Sequence, residues 1–224
     1  KAYLKENSIT VKDYDGVFKD LAGLPAESSI LVDNKKNSYA IYSAVKDAKK
    51  VDKDDIIIKL KAVKSSVEIE NFRKAYIQDG VAMANFLYWL DTNIGINEIT
   101  ELDVSDKILE FRMMRENCMG ASFATIAGYN ANAAMMHYMA TPENYSVLKP
   151  EGFLLVDSGG QYLNGTTDVT RTMVLGELTK EQRRDFTLVL KSNIALSSAV
   201  FLAGTNGKYL DVLSRQPQWK NHMN

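Results

Sequence analysis

The sequence predicts a mixed α/β (or α+β) chain in two parts that meet near residue 62, and three observations predict it. β-rich runs alternate with polar turns over the first sixty residues. Three helix-length apolar stripes, each opened by a capping pair, follow from residues 65, 100 and 179. Between the second and third stripes lies a glycine-punctuated, β-rich centre over 122–176. The composition is globular, 46% hydrophobic and 25% charged, so disorder is excluded. Lys plus Arg number 27 against 28 Asp plus Glu, and no basic block stands out, which argues against a nucleic-acid partner. No apolar run approaches the roughly 18–20 residues needed to span a bilayer, and no signal-peptide pattern stands at the start, where the chain opens with Lys1. Cys118 is the one cysteine, so an internal disulfide and a thiolate metal cluster are both ruled out, and a reducing compartment fits.

The first part spans residues 1–61. Ser29-Ile-Leu-Val-Asp33 is a strand run ended by the polar turn Asn34-Lys-Lys-Asn37. Residues 38–43 fit either a strand or the start of a short helix. The mixed-charge stretch 46–55 is expected to be a solvated turn, and Ile56-Ile-Ile58 a buried strand.

The second part spans residues 62–224. Ser65 with Glu68 forms a capping box, which satisfies orphan N–H groups at a helix start. Apolar residues then recur at Ile69, Phe72, Tyr76, Met83, Leu87 and Leu90, with Gly80 on the same stripe as a place for close approach; Asn93 and Gly95 close the helix. Thr100 with Asp103 caps a second helix running to about Asn117. Thr179 with Gln182 caps a third, with the stripe Phe186, Val189, Leu190, Ile194, Val200 and Phe201 and a stop at Gly204. Residues 205–215 begin another helix, which Pro217 is expected to end. In the centre, 122–127 and 152–157 are expected strands. Ser158-Gly-Gly160 is a turn or bulge, Asn164-Gly165 a tight turn, and 168–175 a returning strand on which Val169, Arg171 and Met173 alternate with Thr170, Thr172 and Val174.

Asp157 ends the outgoing strand and Asp168 opens the returning one, so a folded ribbon can bring two carboxylates together. Close carboxylates repel unless a shared proton or a cation intervenes, and divalent ions suit hard oxygen ligands. The spacing alone is not specific, because an Asp after Gly-Thr-Thr is also ordinary turn chemistry. His137 precedes the Asp157 strand and is a candidate to line the same cleft, where a neutral imidazole donates to a substrate carbonyl; a lone histidine also serves as a hydrogen-bonded structural residue. His222 stands in a polar tail without an assigned role, and Cys118 is expected to be a small core residue. Phosphate-binding, dinucleotide, zinc-protease and nucleophile-elbow motifs are absent from the sequence.

Leu155-Val-Asp-Ser-Gly-Gly-Gln-Tyr-Leu-Asn-Gly-Thr-Thr-Asp-Val-Thr-Arg-Thr172 closely resembles the signature of the Xaa-Pro aminopeptidases (aminopeptidase P), pita-bread metallopeptidases related to prolidase. Ser122-Phe-Ala-Thr-Ile126 and Asn132-Ala-Ala-Met-Met-His-Tyr138 resemble the family too. Val67-Glu-Ile-Glu70, Gln78-Asp-Gly-Val81 and Phe86-Leu-Tyr-Trp-Leu90 resemble its long cytosolic form. The resemblance implies part of a creatinase/aminopeptidase-type middle domain (1–61), followed by the first half of a pita-bread catalytic domain (62–224). It implies two divalent ions, manganese first and cobalt or zinc as alternatives, with Asp157 binding one ion and Asp168 bridging both. A metal-held hydroxide would cleave the bond before a proline in the second position, with His137 contacting the substrate and Arg171 supporting from behind. Peptides are the implied partners and the cytoplasm the implied location; a homodimer stays open.

The family completes its site with a histidine in an HGTGHG-type stretch and two glutamates, which this sequence lacks; Arg215-Gln-Pro-Gln-Trp219 resembles the region just upstream. The chain is therefore expected to be a piece of the enzyme, inactive alone and poor at holding metal. The rival readings are a prolidase acting on Xaa-Pro dipeptides and a non-catalytic pita-bread module that binds peptides or proteins. Retention of both aspartates argues against the second.

Overall fold

The computed structural model describes residues 2–223, which divide between Ser65 and Ser66 into two units. The first contains helices α1 (Ala2–Glu6) and α2 (Gly16–Ala22), strand β1 (Ser29–Val32), α3 (Tyr39–Ala44), β2 (Lys49–Asp52) and α4 (Ile56–Ala62). β1 and β2 run parallel, with Ser29 opposite Lys49 and Val32 opposite Asp52. Asp33, buried at the end of β1, accepts the N–H groups of Lys35 at 3.0 Å and Asp55 at 3.1 Å. The Asp55 N–H holds the Asp33 carboxyl below its usual range; burial opposes that, and the Lys35 N–H adds to it. Ser38 accepts the N–H of Ile41 and so opens 39–44 as helix, one of the two conformations open to that stretch.

Two expectations for this unit are overturned. Ile56–Ile58 is helical and exposed, not a buried strand, because the Asp55 side chain accepts the Ile57 N–H at 2.8 Å and caps a helix there. The strand instead occupies Lys49–Asp52, inside the stretch expected to be a turn, since pairing with β1 satisfies its backbone whatever its side chains carry.

The second unit contains α5 (Ser66–Asn93), α6 (Glu101–Met113), β3 (Cys118–Ala121), β4 (Ile126–Tyr129), a 3-10 turn (Asn130–Ala134), β5 (Phe153–Ser158), β6 (Gly160–Tyr162), β7 (Gly165–Thr166), β8 (Val169–Val174), α7 (Lys180–Ser197) and α8 (Gly207–Trp219). Its strands form two antiparallel sheets, β4-β5-β8 and β3-β6-β7. The core lies between helices and sheet: Met83, Phe86 and Leu90 of α5 and Val104 and Ile108 of α6 meet Ala127, Tyr129, Leu154 and Val156 of the first sheet. Two of the three expected capping pairs, Thr100–Asp103 and Thr179–Gln182, are formed in both directions.

The buried face of α5 carries Ala75, Asp79, Ala82, Met83, Phe86 and Leu90, so it is rotated from the expected stripe; Ile69 and Tyr76 are exposed. Gly80 is exposed, and a Cβ there would meet nothing within 4 Å, so no close approach explains it. The second helix stops at Met113 rather than near Asn117, where the chain reverses through a left-handed residue (φ 62°) into β3. Residues 122–125 lie outside any strand, because Ser122 turns aside to bond Gly159 and Thr167. α7 ends at Ser197, where Ser198 donates back to the Ile194 carbonyl at 2.6 Å, leaving Val200 fully exposed. α8 continues through Pro217 to Trp219; packing against α7, with Gln218 Nε2 donating to Ser192 Oγ at 3.2 Å, offsets one lost backbone bond near the helix end.

Candidate functional site

Along β5, burial alternates strictly. Leu154, Val156 and Ser158 turn to the helical core, which leaves Phe153, Leu155 and Asp157 on the opposite face. β5 is the middle strand, and Asp157 sits between Ile126 of β4 and Thr170 of β8. Its Oδ1 is buried and has no hydrogen-bond partner among the described residues. A polar atom in that state is costly and calls for a counterpart.

Asp168 lies between β7 and β8, with its side chain exposed. The ladder between β5 and β8 ends at the pair Ser158–Val169. Asp168 lies one residue beyond that last pair and two residues before Thr170, the partner of Asp157.

The turn joining the two aspartates is fixed by Thr167, which is fully buried. Its Oγ1 accepts the Gly160 N–H at 2.8 Å, its own N–H donates to the Gly160 carbonyl at 2.9 Å, and its carbonyl accepts the Ser122 hydroxyl at 2.8 Å. Ser122 N–H donates in turn to the Gly159 carbonyl at 3.0 Å. A Cβ on Gly159 would stand 1.9 Å from the Thr167 carbonyl oxygen, so no other residue fits without moving the segment that carries Asp168.

His137 is exposed on a tight turn in which Tyr138 N–H donates to the Met135 carbonyl at 3.2 Å. Its backbone is left-handed, φ 57°, a conformation that favours glycine and in which asparagine, aspartate and histidine are the enriched exceptions. Arg171 Nη1 donates to the neighbouring Thr170 carbonyl at 2.7 Å. Cys118 is half-buried in β3, more exposed than a core residue.

Two buried polar clusters escaped the sequence reading. Asp79 of α5 receives Arg112 of α6 through two bonds, 2.7 and 3.2 Å, and Tyr162 of β6 through its hydroxyl at 3.1 Å. Glu101, the first residue of α6, is fully buried and accepts from Tyr129, Asn132, Tyr138 and Ser146. An available signal for the first was an acid standing at helical spacing within the apolar face formed by Ala75, Ala82, Met83 and Phe86. Glu101 carried none, since an acid in a first turn is ordinary helix chemistry.

The ribbon thus carries Asp157 and Asp168 at adjoining places. Among the described residues no group of three or more His, Cys, Asp or Glu side chains is placed to hold a metal ion, so His137 is not drawn into a three-ligand cluster with them. A buried, unpaired carboxylate oxygen fits a hard divalent cation, and the pair supplies part of a ligand set.

Comparison with known proteins accords with this geometry. The model of metallopeptidase family M24 matches residues 70–224, and that of the creatinase/prolidase N-terminal domain matches residues 1–68. A probable Xaa-Pro aminopeptidase P of Chaetomium globosum is 39% identical over 233 residues, covering 98% of this chain and 37% of the relative. One of Botryotinia fuckeliana is 37% identical over 230 residues, covering 98% and 35%. The chain therefore spans about a third of the length of these relatives. Among solved structures, an X-prolyl aminopeptidase from Caenorhabditis elegans, described as a cytosolic enzyme with a di-nuclear active site, superposes with a TM-score of 0.87 at 29% identity, covering 99% of this chain and 37% of that one. An Xaa-Pro dipeptidase from Bacillus anthracis shares the fold, with a TM-score of 0.78 at 21% identity over 98% of this chain and 62% of its own. The mixed α/β architecture is that of the pita-bread aminopeptidases, and the chain belongs to metallopeptidase family M24.

Proposed function

We propose that the full-length protein is a metal-dependent aminopeptidase that releases the N-terminal residue from peptides with proline in the second position. The observation that carries this reading is the buried, unpaired Oδ1 of Asp157, on a strand whose antiparallel partner leads back to Asp168. The names of the fungal relatives and the di-nuclear site of the nematode enzyme support it.

In this reading Asp157 would hold one divalent ion and Asp168 would serve both ions of a pair, manganese first and cobalt or zinc as alternatives. When bound, such a pair supplies Lewis acidity and makes a water nucleophilic near neutral pH. The remaining work falls to the chain itself. Gly159 and Thr167 fix the turn between the aspartates. The exposed imidazole of His137 donates a hydrogen bond to the carbonyl of the scissile bond as negative charge develops there. A cytoplasmic location goes with the reading, supported by the cytosolic nematode enzyme, and a homodimer is the assembly to look for by light scattering. No helix among the described residues is long and apolar enough to cross a membrane.

The test is an assay of the full-length protein, loaded with manganese, on Xaa-Pro-Yaa tripeptides and Xaa-Pro dipeptides. Tripeptide cleavage that a chelator abolishes is expected. Turnover of dipeptides alone would assign a prolidase, and turnover of neither by metal-loaded protein would leave a peptide-binding module.

A further inference from the structure

We propose that Glu101 is a positioning residue that holds His137 in its working orientation; the proposal rests on the substrate contact assigned to His137 above. Glu101 Oε1 accepts the Tyr129 N–H at 2.7 Å and Asn132 Nδ2 at 3.0 Å. Its Oε2 accepts the Tyr138 hydroxyl and the Ser146 N–H, both at 2.8 Å, with Asn132 Nδ2 again at 3.2 Å. Its backbone N–H donates to the Ser146 carbonyl at 3.1 Å. One carboxylate therefore gathers both ends and the middle of the segment 129–146. Asn132 Nδ2 adds 3.0 Å contacts to Ser146 Oγ and to the Tyr138 hydroxyl oxygen. Both oxygens of Glu101 therefore act as acceptors, one from Tyr129 and Asn132, the other from Tyr138, Ser146 and Asn132.

His137 lies inside a turn that this anchor holds at its last residue. Tyr138, the next residue, is buried and tied to Glu101 by its hydroxyl, while its N–H closes the turn on Met135. His137 occupies the third position of that turn with φ 57°, where glycine would relax the backbone. The backbone position of this exposed ring is thus set by the turn whose last residue is tied into the buried hub. Glutamine in place of Glu101 sets an NH2 group against at least one N–H donor, Tyr129 or Ser146, and loosens the turn.

The test is a double-mutant cycle in the full-length, metal-loaded protein, with Glu101→Gln, His137→Ala and the pair assayed on an Xaa-Pro-Yaa tripeptide. Glu101→Gln is expected to lower kcat about 10- to 100-fold, as misplacement of an aligned group does, with metal content and KM nearly unchanged. In the His137→Ala background the same change is expected to cost less than about threefold. Equal losses in both backgrounds would make Glu101 a general loop anchor and overturn the proposal, as would an unchanged kcat. Should Glu101→Gln not fold, Tyr138→Phe removes only the two contacts of that hydroxyl, with Glu101 and Asn132, and the same coupling to His137 decides. Should the wild-type protein cleave no Xaa-Pro peptide, the proposed function falls. Hydrogen exchange then judges the positioning: faster exchange confined to 135–138 in Glu101→Gln sustains it, and exchange there that is unchanged, or faster throughout 129–146, overturns it.

Discussion

A buried carboxylate oxygen with nothing to bond is unfavourable unless something comes to meet it, and in Asp157 the fold keeps such an atom on the sheet face turned away from the helical core. Asp168 differs: it is exposed, and its place is set by its neighbour Thr167 rather than by its own contacts. This asymmetry separates their roles from that of His137. In the full-length protein, Asp168→Ala is expected to lose both bound metal and turnover, whereas His137→Ala keeps the metal and loses rate on the order of 10²- to 10³-fold, the scale of one donor to a developing oxyanion. Metal analysis beside steady-state kinetics checks both, and an Asp168→Ala protein with normal metal content would remove the bridging role. The sequence made the acids visible as a spacing of two aspartates around a glycine turn. It could not reveal the unpaired oxygen, because burial of a single atom is a property of the whole packed sheet.

Two helix starts were legible from local chemistry. Thr100 with Asp103 and Thr179 with Gln182 close reciprocal caps that depend on residues three apart, and the structure forms both. Legibility failed at 56–58, where the neighbouring Asp55 cap outweighed strand propensity, and on α5, where a distant partner decided. Three isoleucines at 56–58 have strand propensity, yet one capping aspartate and a paired Lys49–Asp52 strand put a helix there. The face of α5 was misjudged for a related reason: Asp79 looks like a solvent residue until Arg112, thirty-three positions on, and Tyr162 come to it. That cluster joins α5, α6 and β6, and its ion pair is about 1% exposed on both sides. Asp79→Ala should therefore leave a buried guanidinium uncompensated and cost about 3–5 kcal/mol, well beyond a surface pair. Denaturant unfolding measures it; a loss below about 1 kcal/mol would mean that water reaches Arg112 and that the pair does not bind the three elements together.

At the scale of the molecule, the second unit keeps its charged groups in two conditions. Glu101 and Asp79 are saturated by donors inside the protein, while Oδ1 of Asp157 is buried with no hydrogen-bond partner among the described residues and Asp168 is exposed. Each saturated acid holds a buried phenol, and the pair of phenols gives the fold a defined response to alkali. Burial first, then the hydrogen bond and charge of Glu101, pushes Tyr138 up to about 12. Burial first, then the charge of Asp79, raises Tyr162 as well. In the unfolded chain both ionise near about 10. Groups whose folded values lie above their unfolded ones contribute their full stabilisation below pH about 10. As the pH climbs from there toward the folded values, the unfolded chain releases its protons first and stability drains away. The thermal midpoint should accordingly fall steeply between pH about 10 and about 12. Tyr138→Phe and Tyr162→Phe, though less stable at neutral pH for want of a hydroxyl, should each show a shallower fall. The slopes carry the information: wild type and both variants declining in parallel would mean that these phenols ionise with the exposed tyrosines, and that the two acids are not the sealed hubs on which the fold of the second unit turns.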